Sequence, residues 1–236
     1  MAVKSVYISE PVIANGRLVV QGDEHQHLRV GRAEVGEQIE VFNGRGAVWT
    51  TSIESCEKRE THLRISAKRE VEPLRPTLIL GLSLVKTGAF ELALEKAVEV
   101  GVTRIVPLLT SRTNSPPRSA GRVERWNRIV VEAAKQSKRY HLPLLDQPMG
   151  FADALKLPAS TKIVFAERGG TPLQSALAGE PVFFLVGPEG GWTDEELSMA
   201  RARGYALVGL GEGILRTETA AIVGAALIRH EFHRNL

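Results

Sequence analysis

Two glycine-containing segments near the C-terminus hold the residue types best suited to chemistry. One is Gly187-Pro188-Glu189-Gly190-Gly191-Trp192-Thr193; the other runs from Leu210-Gly211-Glu212-Gly213 into Ile214-Leu215-Arg216-Thr217-Glu218-Thr219-Ala220. Each follows a short apolar run that reads as a strand. Glycines in such places let the backbone approach a ligand closely and adopt positive φ. Thr193 and Glu196 have the spacing of a capping box, which would start a helix directly after the first segment. Neither segment carries the Gly-x-x-x-x-Gly-Lys-Ser/Thr string of a nucleoside-triphosphate loop. Gly209-Leu210-Gly211-Glu212-Gly213 lacks the last glycine and the later acid of a dinucleotide fold. The residues therefore favour a ligand held by backbone groups without a pyrophosphate, set against plain constrained loops.

Other clusters are weaker. His25-x-His27 and His230-x-x-His233 have no cysteine or carboxylate set to complete them, so no metal site is expected. Cys56 is the single cysteine, which excludes an intrachain disulfide and fits a reducing cytoplasm.

The elements that must position these segments fall into two groups. Up to residue 73 the chain reads as short, partly alternating strands punctuated by Asn15-Gly16 and Asn43-Gly44, with one short helix near Asp23. That pattern predicts a small β-barrel. From Leu74 onward strands alternate with helices. Leu78-Ile79-Leu80-Gly81-Leu82-Ser83-Leu84 and residues 104–109, 162–166, 182–186 and 206–210 read as buried strands. Helices are expected from Phe90 to a closing Gly101 and at 122–139, 151–157, 194–203 and 218–233. This predicts an α/β domain with a mostly parallel sheet over residues 74–236. Ligands in such sheets bind beyond the carboxyl ends of the strands, where both glycine segments lie. Ala220, Ala221, Gly224, Ala225 and Ala226 give the last helix a small, closely packable surface, suited to a partner subunit or to core packing.

The net charge of the 236-residue chain is +3. Residues 104–143 hold nine basic and two acidic residues, a balance of +7. Such a focused field attracts polyanions, of which nucleic acid is the usual one. The longest apolar run has nine residues, Ala220 to Ile228. That is far short of the ~20 a membrane span needs.

The paired motifs Gly187-Pro188-Glu189-Gly190-Gly191 and Leu215-Arg216-Thr217-Glu218-Thr219-Ala220 resemble those of the SPOUT-class RNA methyltransferases, in particular the bacterial 16S ribosomal RNA uridine-N3 methyltransferases. Glu132-Ala133-Ala134-Lys135-Gln136-Ser137-Lys138-Arg139 is similar to that family's basic helix end, although glycine is commoner where Lys138 stands. His27-Leu28-Arg29-Val30 and Val41-Phe42-Asn43-Gly44-Arg45-Gly46 resemble its PUA-like barrel. The resemblance implies a PUA-like β-barrel RNA-binding domain over residues 1–73 and a trefoil-knotted methyltransferase domain over 74–236. It also implies a homodimer through the knotted domain, S-adenosylmethionine as cofactor, small-subunit 16S ribosomal RNA as partner, no membrane association and a cytoplasmic location. The cofactor set it implies is Glu167, Gly187, Glu189, Gly190, Gly191, Leu210, Gly211, Ile214, Leu215 and Thr219, with residues 167–170 as the third side of the pocket. The RNA contacts are Arg29 and Arg32 in the barrel and Lys86, Arg112 and Arg139 beyond it. Arg216 would stabilise the uracil anion and Glu218 or Glu212 would accept its N3 proton, unless Arg216 and Glu218 simply pair with each other. The alternatives are a SPOUT enzyme acting on another RNA or base position, an inactive RNA-binding relative, or a small-molecule α/β enzyme.

Overall fold

A computed structural model describes residues 3–113, 120–167 and 170–234. The chain divides into two compact units, residues 1–73 with Ala134–Leu142, and residues 74–133 with 143–236.

The first unit is built on β1 (Lys4–Tyr7), β2 (Ile13–Ala14), β3 (Arg17–Gln21), α1 (Gly22–Val30), β4 (Gln38–Phe42), β5 (Ala47–Cys56) and β6 (Glu60–Glu70). Its six-stranded sheet has the order β1-β4-β5-β6-β3-β2, antiparallel except for β1 beside β4. Alternation sets the faces. Leu18 and Val20 of β3 are buried while Arg17, Val19 and Gln21 face out. Asn15 and Gly16 take φ of 50° and 71°, the two positive values that a tight turn between β2 and β3 requires. Val6, Leu18, Val20, Leu28, Ile39, Val41, Ile53 and Leu63 form the core. His25 is buried in this unit with its Nδ1 2.9 Å from the Thr61 hydroxyl, a histidine with a structural partner.

The assignment of Ala134–Leu142 to this unit differs from the expected boundary, and the contacts explain it. The Gly46 amide donates to the Tyr140 carbonyl at 3.0 Å, and the Leu142 amide donates to the Gly44 carbonyl at 2.9 Å. Lys138 Nζ donates to the Val3 carbonyl, the Ser5 hydroxyl and the Glu40 carboxylate. Tyr140 OH and Arg69 also donate to Glu40, and the Arg69 guanidinium lies 4.9 Å from the centre of the Tyr140 ring.

The second unit comprises β7 (Leu78–Ser83), α2 (Thr87–Val100), β8 (Arg104–Leu109), most of α3 (Ala120–Ser137), β9 (Leu144–Leu145), β10 (Met149–Gly150), α4 (Phe151–Ala154), β11 (Thr161–Phe165), α5 (Leu173–Ala176), β12 (Val182–Val186), α6 (Asp194–Ala202), β13 (Ala206–Val208) and α7 (Thr217–Arg234). The sheet is parallel throughout, with the path β10-β8-β7-β12-β11-β13 and β9 on β8. Every residue of β7 and β12 is buried, the polar Ser83 at the end of β7 included, as expected of apolar strands in a doubly covered sheet. Trp126 of α3 stacks on Phe90 of α2 at 4.5 Å. After the edge strand β13 the chain returns to the middle of the sheet, where α7 packs on β7 and β12. Arg229 of α7 donates to the carbonyls of Val100 and Gly101, a cation at the end of α2 where free carbonyls gather.

Helix α3 ends at Ser137, two residues before the expected end. Lys138 has φ of 55°, its amide turns back to Lys135 and the Arg139 amide to Ala134, a Schellman close. That left-handed residue is why glycine suits this position. Most of the small face of α7 turns into the fold: Ala221, Gly224 and Ala225 are buried, with Gly224 against the Phe165 ring, while Ala220 is half-buried and Ala226 exposed. Among the described residues no helix is long and apolar enough to cross a membrane.

Candidate functional site

Three adjacent parallel strands, β12, β11 and β13, end on one edge of the sheet. The loops that leave them are residues 187–193, 166–172 and 209–216, so both glycine segments and Glu167 come to one place. They enclose a cavity of about 260 Å³.

The first loop is fixed at both ends. Thr193 caps α6 in a complete capping box: its hydroxyl accepts from the Glu196 amide and the Glu196 carboxylate accepts from its amide. The second Glu196 oxygen accepts from the Ser111 amide at 2.8 Å. This buried glutamate therefore ties the start of α6 to the turn after β8. The Trp192 indole donates to the Phe165 carbonyl at 2.9 Å and packs on Phe151. A Cβ on Gly187 would stand 3.0 Å from the Trp192 ring, which is why the loop can fold over that indole.

The second loop is joined to the first by Thr217, whose hydroxyl donates to the Gly187 carbonyl at 2.9 Å. The Arg216 carbonyl accepts from the Ala220 amide, so Arg216 is the residue that opens α7. Gly211 has φ of 105° and nothing within 4 Å of where a side chain would begin, so its backbone is exposed to a ligand.

Of the expected cofactor residues, Glu167, Gly187, Gly190, Gly191, Leu210, Gly211 and Leu215 line the cavity. Glu189 and Ile214 are exposed on the same loops, and Thr219 is half-buried in the first turn of α7; none of these three is in the lining. Arg168 and Gly169, expected on the third side, lie outside the described residues. Trp192, Thr217, Phe165, Asp194 and Gly213 also line the cavity, and sequence reasoning did not single them out as contacts. Trp192 and Thr217 stand within the quoted motifs, so the signal was present there.

Arg216 is exposed and Glu218 half-buried, and no ion pair joins them. Arg29, Arg32 and Lys86 are exposed. Arg112 is on the cavity wall, donating to the Gly190 carbonyl. Arg139 is half-buried, and burial pushes its guanidinium below its usual value. Among the described residues of 104–143, at least four cations are paired with acids: Arg104 with Asp146, Arg125 with Glu91, Lys135 with Glu24 and Lys138 with Glu40. The positive stretch is thus less available to a polyanion than its count suggests, because those four cations are engaged with acids. Arg118 lies outside the described residues.

A parallel α/β sheet with glycine loops at its carboxyl edge and a terminal helix returning to its middle is the frame expected of a SPOUT-type methyltransferase domain, and the SPOUT assignment is carried by its likeness to solved relatives. Residues 72–229 match the family model described as an RNA methyltransferase domain. A ribosomal RNA small subunit methyltransferase E of Synechocystis is 34% identical, over 97% of this chain and 77% of the relative. That of Rickettsia conorii is 29% identical, over 97% and 96%. The crystal structure of the Neisseria gonorrhoeae enzyme of that name, bound to S-adenosylmethionine, superposes with a TM-score of 0.88 at 31% identity over 97% and 98%. The chain belongs to the ribosomal RNA small subunit methyltransferase E family.

Proposed function

We propose that this protein methylates N3 of a uridine in 16S ribosomal RNA, using S-adenosylmethionine. The observation that carries the reading is the cavity at the carboxyl edge of the sheet, formed by two glycine loops that Thr217 locks together. Its residues fit the cofactor: open backbone at Gly211, an apolar wall from Phe165, Leu210 and Leu215, and carboxylates at Glu167 and Asp194 to face positive charge. When bound, the cofactor supplies a methyl group already activated by its sulfonium.

The chain's own residues then have two tasks, alignment and charge. Uracil N3 is a weakly acidic imide and attacks only after losing its proton. Arg216, permanently charged and exposed at the start of α7, stabilises the resulting anion through O2 or O4. Glu218 or Glu212 accepts the proton. The uridine leaves its stack to reach the donor. Arg29 and Arg32 on the barrel and Lys86 at the start of α2 offer exposed cations to phosphates.

The protein acts in the cytoplasm as a homodimer that pairs through the methyltransferase domain. With Ala221, Gly224 and Ala225 committed inside, the exposed Ala226 and Leu227 are the apolar part of that helix left for a partner. Nucleoside mass analysis after incubation with unmodified small subunits and cofactor tests the reading. The expected product is 3-methyluridine in 16S RNA; methyl on another RNA, on ribose or on another base atom overturns it.

A further inference from the structure

Arg112 stands out from the other cations. Its backbone sits in a turn closed by the Thr113 amide on the Thr110 carbonyl at 3.0 Å, and by the Thr110 amide on the Thr113 hydroxyl at 2.9 Å. The neighbouring Ser111 amide is held by Glu196, the same buried carboxylate that caps α6. The guanidinium reaches the cavity wall and donates to the Gly190 carbonyl, which uses one of its five N–H groups.

Among the described residues that line the cavity, the ionic groups are Arg112, Glu167 and Asp194. That is one cation and two anions. The donor carries the complement: one carboxylate, one ammonium and one sulfonium. We propose that Arg112 holds the carboxylate of the donor's amino-acid end, with its planar fork as the matching partner for that group. This rests on the reading of the cavity as the S-adenosylmethionine site. It gives Arg112 a role in cofactor retention in place of the RNA contact expected from the sequence. Because the demethylated product keeps the same carboxylate, Arg112 grips donor and product alike.

The test is calorimetric titration of the full chain, without RNA, using S-adenosylmethionine, S-adenosylhomocysteine and 5′-methylthioadenosine, which lacks the amino-acid end. In Arg112→Ala the first two should weaken together by roughly tenfold or more, while methylthioadenosine binds as to the wild type. Arg112→Lys, which keeps the charge but not the fork, should fall between. Equal weakening of all three ligands would overturn the proposal, since Arg112 would then only shape the Gly190 loop. Unchanged S-adenosylmethionine affinity in Arg112→Ala would overturn it too. A wild type that binds none of the three would instead sink the reading of the cavity itself.

Discussion

The Thr217 hydroxyl donates to the Gly187 carbonyl at 2.9 Å, and this bond joins loops 30 residues apart in sequence. Thr217 is 3% exposed, so its own hydroxyl is shielded from water. Thr217→Val keeps the shape and removes the donor, losing a hydrogen bond worth about 0.5–1.5 kcal/mol. S-adenosylmethionine affinity, read by calorimetry, should fall roughly tenfold, and Thr217→Ser should restore it. Unchanged affinity in the valine variant would show that the two loops hold their places without the link.

Arg216 opens α7 yet contributes nothing to the cavity lining. Arg216→Ala should therefore bind the cofactor as the wild type does. Its methylation rate on small subunits should fall by about 10²–10³, the usual cost of removing a group that stabilises developing negative charge. Normal turnover would remove Arg216 from the mechanism. Loss of cofactor affinity would make it a structural residue of the loop.

Gly224 faces the ring of Phe165, and an added Cβ would overlap that ring. In a solvent-facing helix, glycine to alanine gains about 1 kcal/mol of helix propensity. Here the overlap costs about 1–3 kcal/mol, and Phe165 also lines the cavity. Gly224→Ala should lower the thermal midpoint and weaken cofactor binding together. A raised midpoint would mean that α7 can shift away from the sheet freely.

Glu40 contributes to the acid stability of the barrel unit. Burial alone would raise its carboxyl, but hydrogen bonds from Lys138 and Tyr140 and the charges of Lys138 and Arg69 outweigh it and hold the group below its usual 4.5. A carboxyl lowered in the folded state adds stability that is full above its unfolded value and lost as pH falls through the folded one. Thermal midpoints of wild type and Glu40→Gln should thus differ most at neutral pH and converge as pH drops below 4.5. A gap that stays constant into acid would contradict the role of this charge.

Much of this architecture is legible in the chain because it rests on local signals. The nearly continuous apolar run of β7 and the unbroken one of β12 announce a buried parallel sheet, Asn15-Gly16 announces its turn, and Thr193 with Glu196 announces the start of α6. What stays hidden depends on distant partners. Nothing in Lys138 reveals that its ammonium closes on Glu40, 98 positions away, and draws residues 134–142 to the barrel. The paired cations Arg104, Arg125 and Lys135 look alike with free ones in a charge count, since their acids come from other elements. Gly224 reads as a docking surface or a core contact until the Phe165 ring is in place. Arg112 appears as one more basic loop residue until its guanidinium, beside the Ser111 amide that Glu196 holds, meets the Gly190 carbonyl at the cavity wall.

The most direct test of the donor site is a crystal structure of the protein with S-adenosylmethionine bound. The two glycine loops should close over it, with its ring system against Phe165 and Leu215 and its methyl group open toward Arg216. Density for the cofactor at any other place on the molecule would contradict the account.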